Sequence, residues 1–170
     1  PCVESAKQAE AVVRATKYPP QGKRGTAFGI AHDGYVRGDV TETMRRANES
    51  NLLLAQIESP DGVENVDAIA SVEGVDVLWV GHNDLTTAMG IPGQFDHPDY
   101  HAALNEVARA CKEHGKVAGF RPDSITQATE LVSLGYRILA YLSDVSAYRT
   151  VLANGIDAIR SSVNGRPEGS

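Results

Sequence analysis

The chain has 170 residues, 42% of them hydrophobic and 22% charged, with a formal net charge of −6. That is apolar material for one sizeable core, and an acidic balance without a Lys/Arg run excludes the basic footprint of a nucleic-acid binder. No apolar run approaches the roughly 18 residues of a membrane span, and two cysteines, Cys2 and Cys111, are too few for a disulfide framework, which points to a reducing cytoplasm.

Pro1 to Val3 reads as the end of a strand whose beginning is missing, so the chain is expected to be a fragment. Ser5 is placed to cap a helix over Ala6 to Thr16, which the Tyr18-Pro19-Pro20 stretch ends. Lys23 to Tyr35 is Gly-rich and irregular, with a short strand expected near Thr26 to Gly29. Asp39 or Thr41 caps a helix over Glu42 to Glu49. The apolar run Asn51 to Glu58 is a strand, expected to be covered on both faces. Ser59-Pro60 then gives a cap followed by proline at the first helical position, and Val63, Val66, Ile69 and Ala70 form the inward stripe up to Gly74. Val75 to Gly81 is a second strand, leading into "HNDLTTAMG", a loop with one helical turn. His97-Pro98 opens a long amphipathic helix to His114, stopped by Gly115. Val117 to Phe120 is a strand, Asp123 caps a helix over Ser124 to Leu134, Ile138 to Leu142 is a strand, and Asp144 caps a last helix to about Arg160. Ser161 to Ser170 is polar and expected to be disordered.

A helix between each pair of strands demands parallel strands and crossover connections. A doubly wound sheet and a (β/α)8 barrel, which takes about 250 residues, both satisfy that order. In either, function sits at the C-terminal ends of strands. Glu58 ends a buried run although Ser59 already supplies the helix cap. Asp84 follows the next strand, where it caps a short turn or serves a site. Adjacent parallel strands lie about 4.8 Å apart, and two acids there repel unless one is protonated or a cation lies between them. Mg²⁺ is commonly held by one or two carboxylates and keeps its other positions for water or substrate. His82, in the same loop, is a candidate to face a substrate. His97 and His101, four apart, are surface residues because Pro98 sets His97 at the cap. No nucleophile elbow, P-loop or GxGxxG occurs, and no lysine stands at a strand end, which disfavours imine chemistry.

"YPPQGKRG", "QIESPDGVENVDAIASVEGVD", "GHNDLTTAMGIPGQFDHPDY" and "GKVAGF" together resemble the HpcH/HpaI aldolase family from Pro1 to about Arg160. The resemblance implies a (β/α)8 TIM barrel of the phosphoenolpyruvate/pyruvate type, with residues 1–160 forming its C-terminal five-eighths, from the end of strand 4 through helix 8, and 161–170 a tail. It implies a class II aldolase that cleaves 4-hydroxy-2-oxo acids to pyruvate and an aldehyde through a metal-stabilised enolate. Glu58 and Asp84 would hold the divalent metal (Mg²⁺, Mn²⁺ or Co²⁺). Gln56 would bind the pyruvoyl group, and the backbone around Gly81, Asn83 and Asp84 its carboxylate. The family's catalytic His and Arg would lie before Pro1, so that the 170 residues alone would be inactive. Family members associate through the last helix, here carrying Val145, Tyr148, Val151, Leu152 and Ile156, which implies a homo-oligomer. His82 stands where the family usually has Pro, which bears on acceptor specificity. A citryl- or malyl-CoA lyase and a non-catalytic truncated barrel are the competing expectations.

Overall fold

The computed structural model describes residues 1–164. Four parallel strands, β1 (Leu54–Ile57), β2 (Val77–Val80), β3 (Val117–Phe120) and β4 (Tyr136–Leu139), form one sheet in sequential order. Before β1 lie α1 (Ala6–Thr16) and α2 (Val40–Ser50). Between β1 and β2 come α3 (Pro60–Glu64) and α4 (Val66–Ala70); between β2 and β3, α5 (His82–Ala88) and α6 (Pro98–Glu113). Then α7 (Ile125–Leu134) precedes β4, and α8 (Asp144–Asn164) follows it. Outside the sheet, the Val3 N–H donates to Gln56 O at 3.1 Å, which sets Val3 beside β1, although Pro1 to Glu4 form no regular strand.

Each boundary has a local cause. Ser59 Oγ accepts the Gly62 N–H and Pro60 fills the first turn of α3. The helix expected to run on to Gly74 breaks at Asn65, whose Nδ2 donates to Asp61 O and Glu4 O at 3.0 Å each. His97 caps α6, and Gly115 follows with φ +64 in the left-handed region that glycine adopts freely. Two caps differ from expectation. Ser124 rather than Asp123 accepts the Gln127 N–H at the start of α7, and Ser143 rather than Asp144 accepts the Ser146 N–H at the start of α8. No strand forms over Thr26 to Gly29. β4 begins two residues early, because Tyr136 is fully buried and its hydroxyl donates to Leu104 O at 3.0 Å. α8 runs through the first four residues of the expected tail, and 165–170 lie outside the described residues.

The core lies between the sheet and α4, α5, α6 and α7. Ala55, Ile57, Leu78, Val80, Ala118 and Phe120 point into it from the strands, meeting Ile69, Leu85, Val107 and Leu131. The opposite face of β1 is not covered among the described residues: Leu52 and Leu54 are exposed. The double-sided burial expected from the sequence is thus one-sided here. Alternation along β1 also sorts the polar residues. Ala55 and Ile57 enter the core, so Gln56 and Glu58 belong to the other face.

Candidate active site at the strand ends

The C-terminal ends of β1 and β2 meet where the Gly81 N–H donates to Ile57 O at 3.0 Å. Register pairs Ile57 with Val80, so Glu58 and Gly81 stand next to each other one step further. Glu58 is only 7% exposed. Its carboxylate is gripped from both sides: Gln56 Nε2 donates to Oε2 at 2.6 Å, and the Cys2 N–H donates to Oε1 at 2.6 Å. The Cys2 thiol reaches the same Oε1 at 3.1 Å, and that contact raises the thiol above its ordinary value. A charged carboxylate with two backbone or amide donors is a fixed, acceptor-only group.

Gly81 makes that placement sterically possible. A Cβ there would stand 2.5 Å from Glu58 Oε2, 2.8 Å from Gln56 Nε2 and 2.8 Å from Glu58 Cβ. Gly81 also begins α5 without a side-chain cap, so Asp84 in the first turn is not used for capping. Asn83 and Asp84 are both exposed there, and among the described residues neither side chain bonds Gln56 or Glu58. The structure therefore brings Gln56, Glu58 and Gly81 into contact and leaves Asn83 and Asp84 at the adjacent helix start. No three His, Cys, Asp or Glu side chains converge as a ready-made cation cage among the described residues.

His82 does not face an open site. It is 6% exposed, stacked on Phe120 (ring centroids 5.0 Å apart) and edge-on to Phe95 (5.5 Å). Burial, and then the Arg121 charge, lower its pKa below the usual imidazole value, against the pull of Asp123 and Asp84. Arg121 follows β3, donates to Asp123 Oδ1 at 2.7 Å and brings its other terminal nitrogen to 3.5 Å from His82 Nε2. Lys116 lies at the opposite end of the sheet, its Nζ donating to Val72 O and Val75 O at 3.1 and 2.8 Å, so it is removed from the rim. Sequence reasoning missed the hold of Cys2 on Glu58 and the Arg121–His82 contact. The strand-end reading of Pro1 to Val3 was the available signal for the first.

Residues 1–149 match the HpcH/HpaI aldolase/citrate lyase family. The chain belongs to that family. A 5-keto-4-deoxy-D-glucarate aldolase of Klebsiella pneumoniae is 36% identical over 160 residues, 94% of this chain and 62% of that protein. Two solved structures superpose on it. An HpcH/HpaI aldolase from Desulfitobacterium hafniense has TM-score 0.85 at 32% identity, covering 99% of this chain and 63% of that one. An HpcH/HpaI aldolase/citrate lyase family protein from Burkholderia cenocepacia has TM-score 0.87 at 32% identity, covering 95% of this chain and 63% of that one. The fold is thus the parallel α/β barrel type of the HpcH/HpaI family, and the chain spans 62% of the length of the curated relative it matches. No helix of the described residues is long and apolar enough to cross a membrane.

Proposed function

We propose that the protein carrying this chain is a divalent-metal-dependent aldolase that cleaves 4-hydroxy-2-oxo acids to pyruvate and an aldehyde. The observation that carries this reading is the buried Glu58 carboxylate, fixed by Gln56 and Cys2 against a glycine at the strand ends. Family membership and the aldolase names of its relatives support it. The donor chemistry fits a hard cation. Glu58 at the end of β1 and Asp84 in the first turn of α5, which follows β2, offer carboxylate oxygens, and the missing Cβ of Gly81 leaves room for the Glu58 carboxylate at the rim. Those two residues would hold Mg²⁺, Mn²⁺ or Co²⁺. Bound there, the cation supplies Lewis-acid stabilisation of negative charge developing on the 2-oxo acid.

The chain's own groups have distinct tasks in this reading. Gln56 keeps Glu58 in one orientation and offers its remaining amide hydrogen to a pyruvoyl oxygen. Gly81 leaves room for the Glu58 and Gln56 side chains, and the Asn83 and Asp84 backbone at the start of α5 lies beside it for the substrate carboxylate. His82, enclosed by Phe95 and Phe120, is not assigned proton transfer. Two further parts of the reading follow from exposed features. The two free thiols suit a reducing cytoplasm. α8 exposes Val145, Tyr148, Val151, Leu152 and Ile156, a face that a second copy of the chain would cover in a homo-oligomer.

Exchange of the pyruvate methyl protons in D₂O tests the chemistry without needing the aldehyde. Exchange should require added Mg²⁺ or Mn²⁺, and Glu58→Gln and Asp84→Asn should each abolish it. Metal-dependent exchange that survives both substitutions defeats the assignment.

A further inference from the structure

Arg121 occupies a position that the reading above leaves without a task. Register pairs Trp79 with Gly119, so two residues further Gly81 stands beside Arg121. Glu58, Gly81 and Arg121 therefore form one row across β1, β2 and β3, on the face opposite the core. The middle member has no side chain. Two strand spacings put the outer members about 10 Å apart along the backbone, with the Glu58 carboxylate and the Gln56 amide lying over Gly81. Glu58, Gly81, Arg121 and Ala140 follow the four strands, so Arg121 is the sole cation at these positions. The acids nearby are Glu58, Asp84, Asp123 and Asp144.

A surface ion pair with Asp123 does not account for how Arg121 is held. One terminal nitrogen donates to Asp123 Oδ1 at 2.7 Å, and the other faces Nε2 of His82, a side chain nine-tenths buried, at 3.5 Å. The same Nε2 lies 3.7 Å from Asp123 Oδ2, so imidazole, guanidinium and carboxylate form one cluster. Aromatic rings fix the imidazole on two sides, so the guanidinium is oriented from within the fold. Of its five N–H groups, these two contacts engage one each, and its side chain remains 35% exposed. The result is a partly exposed, oriented fork of donors, the geometry that recognises a carboxylate.

We propose that Arg121 is the specificity-determining residue for the acceptor end of the substrate, binding a second carboxylate on the part of the ligand distal to the 2-oxo acid. The inference rests on the aldolase reading for the position of the 2-oxo acid end. His82 acts through Arg121 as a positioning residue and does not touch the ligand.

Calorimetric titration separates the two ideas. 2-Oxoglutarate carries the distal carboxylate and 2-oxobutyrate lacks it; each is titrated into the whole protein with Mn²⁺ and again with EDTA. With Mn²⁺, 2-oxoglutarate should bind about tenfold more tightly, the scale of one partly exposed charge-assisted contact, and added salt should narrow the gap. Arg121→Gln should erase the preference and Arg121→Lys should keep part of it. Arg45→Gln, which removes the same charge from the exposed face of α2, should keep all of it. No preference in the unsubstituted protein, a preference that survives Arg121→Gln, or an equal loss for both ligands overturns the proposal. If 2-oxobutyrate binds alike with Mn²⁺ and with EDTA, the metal reading fails, while an Arg121-dependent preference still stands.

Discussion

Replacing Gly81 by alanine is the sharpest perturbation of the site, because it adds one methyl group and no charge. Its φ of −88° is open to any residue, so the effect is one of space alone. The new Cβ would stand 2.5 Å from Glu58 Oε2, about 0.9 Å inside ordinary contact, and the oxygen could rotate away. Glu58 Cβ, at 2.8 Å, cannot, because it moves only with the β1 backbone. That backbone is tied to β2 through the 3.0 Å bond from the Gly81 N–H to Ile57 O. Either the strand ends part or the carboxylate leaves Gln56. Overpacking of this kind costs about 1–3 kcal/mol of stability, and displacing a metal-holding group's support lowers affinity about 10- to 100-fold. Urea unfolding and a Mn²⁺ titration followed by electron paramagnetic resonance read the two effects separately. Gly25→Ala, where a Cβ meets nothing within 4 Å, should change neither. A Gly81→Ala protein with unchanged urea midpoint and unchanged Mn²⁺ affinity would refute the steric argument.

Two other expectations concern the scaffold. Ser124→Ala should lower stability by about 1 kcal/mol through loss of the α7 cap, whereas Asp123→Ala should cost less, since the Asp123 carboxylate is more than half exposed where it meets Arg121 and His82; urea midpoints that rank the other way would restore Asp123 as the cap. Arg109 donates to Glu106, Asp67 and Glu113, and these bonds hold the Asp67 and Glu106 carboxyls below their ordinary range. Folded carboxyls that titrate lower than unfolded ones stabilise above the unfolded range and lose that contribution as pH falls through their folded values. Arg109→Gln should therefore unfold at lower urea than the parent at pH 7, and the two midpoints should converge below about pH 4; a gap that persists in acid would show that the network acts by packing.

The strands and their order were legible because the apolar runs at Leu52, Val75 and Val117 alternate with helices that carry strong stop signals, such as Gly115 and Gly135. Boundaries were less so. Tyr136 looked like the residue after a helix-ending glycine, and only its bond to Leu104 O, 32 positions away, makes it the start of β4. Asp123 and Ser124 are both good caps, and sequence cannot say that Arg121 engages the first and frees the second. In the site, Glu58 was legible as an acid with no local use. Its hold by Cys2 was not, since the two are 56 positions apart. His82 was a candidate to face a substrate from its loop; Phe95 and Phe120 enclose it, a contact made only when β3 and the α5–α6 segment pack on β2.

The alternation along β1 has a consequence for how errors in folding would show themselves. A slip of one residue against β2 would turn Gln56 and Glu58 into the helix layer and expose Ile57 in their place. Burying that carboxylate without Cys2 and with no partner would be prohibitive, so the acid proposed to hold the cation also guards the alignment of the sheet. Swapping Glu58 for a hydrophobic residue would remove that guard, and misaligned, aggregation-prone chains would be the cost of losing it.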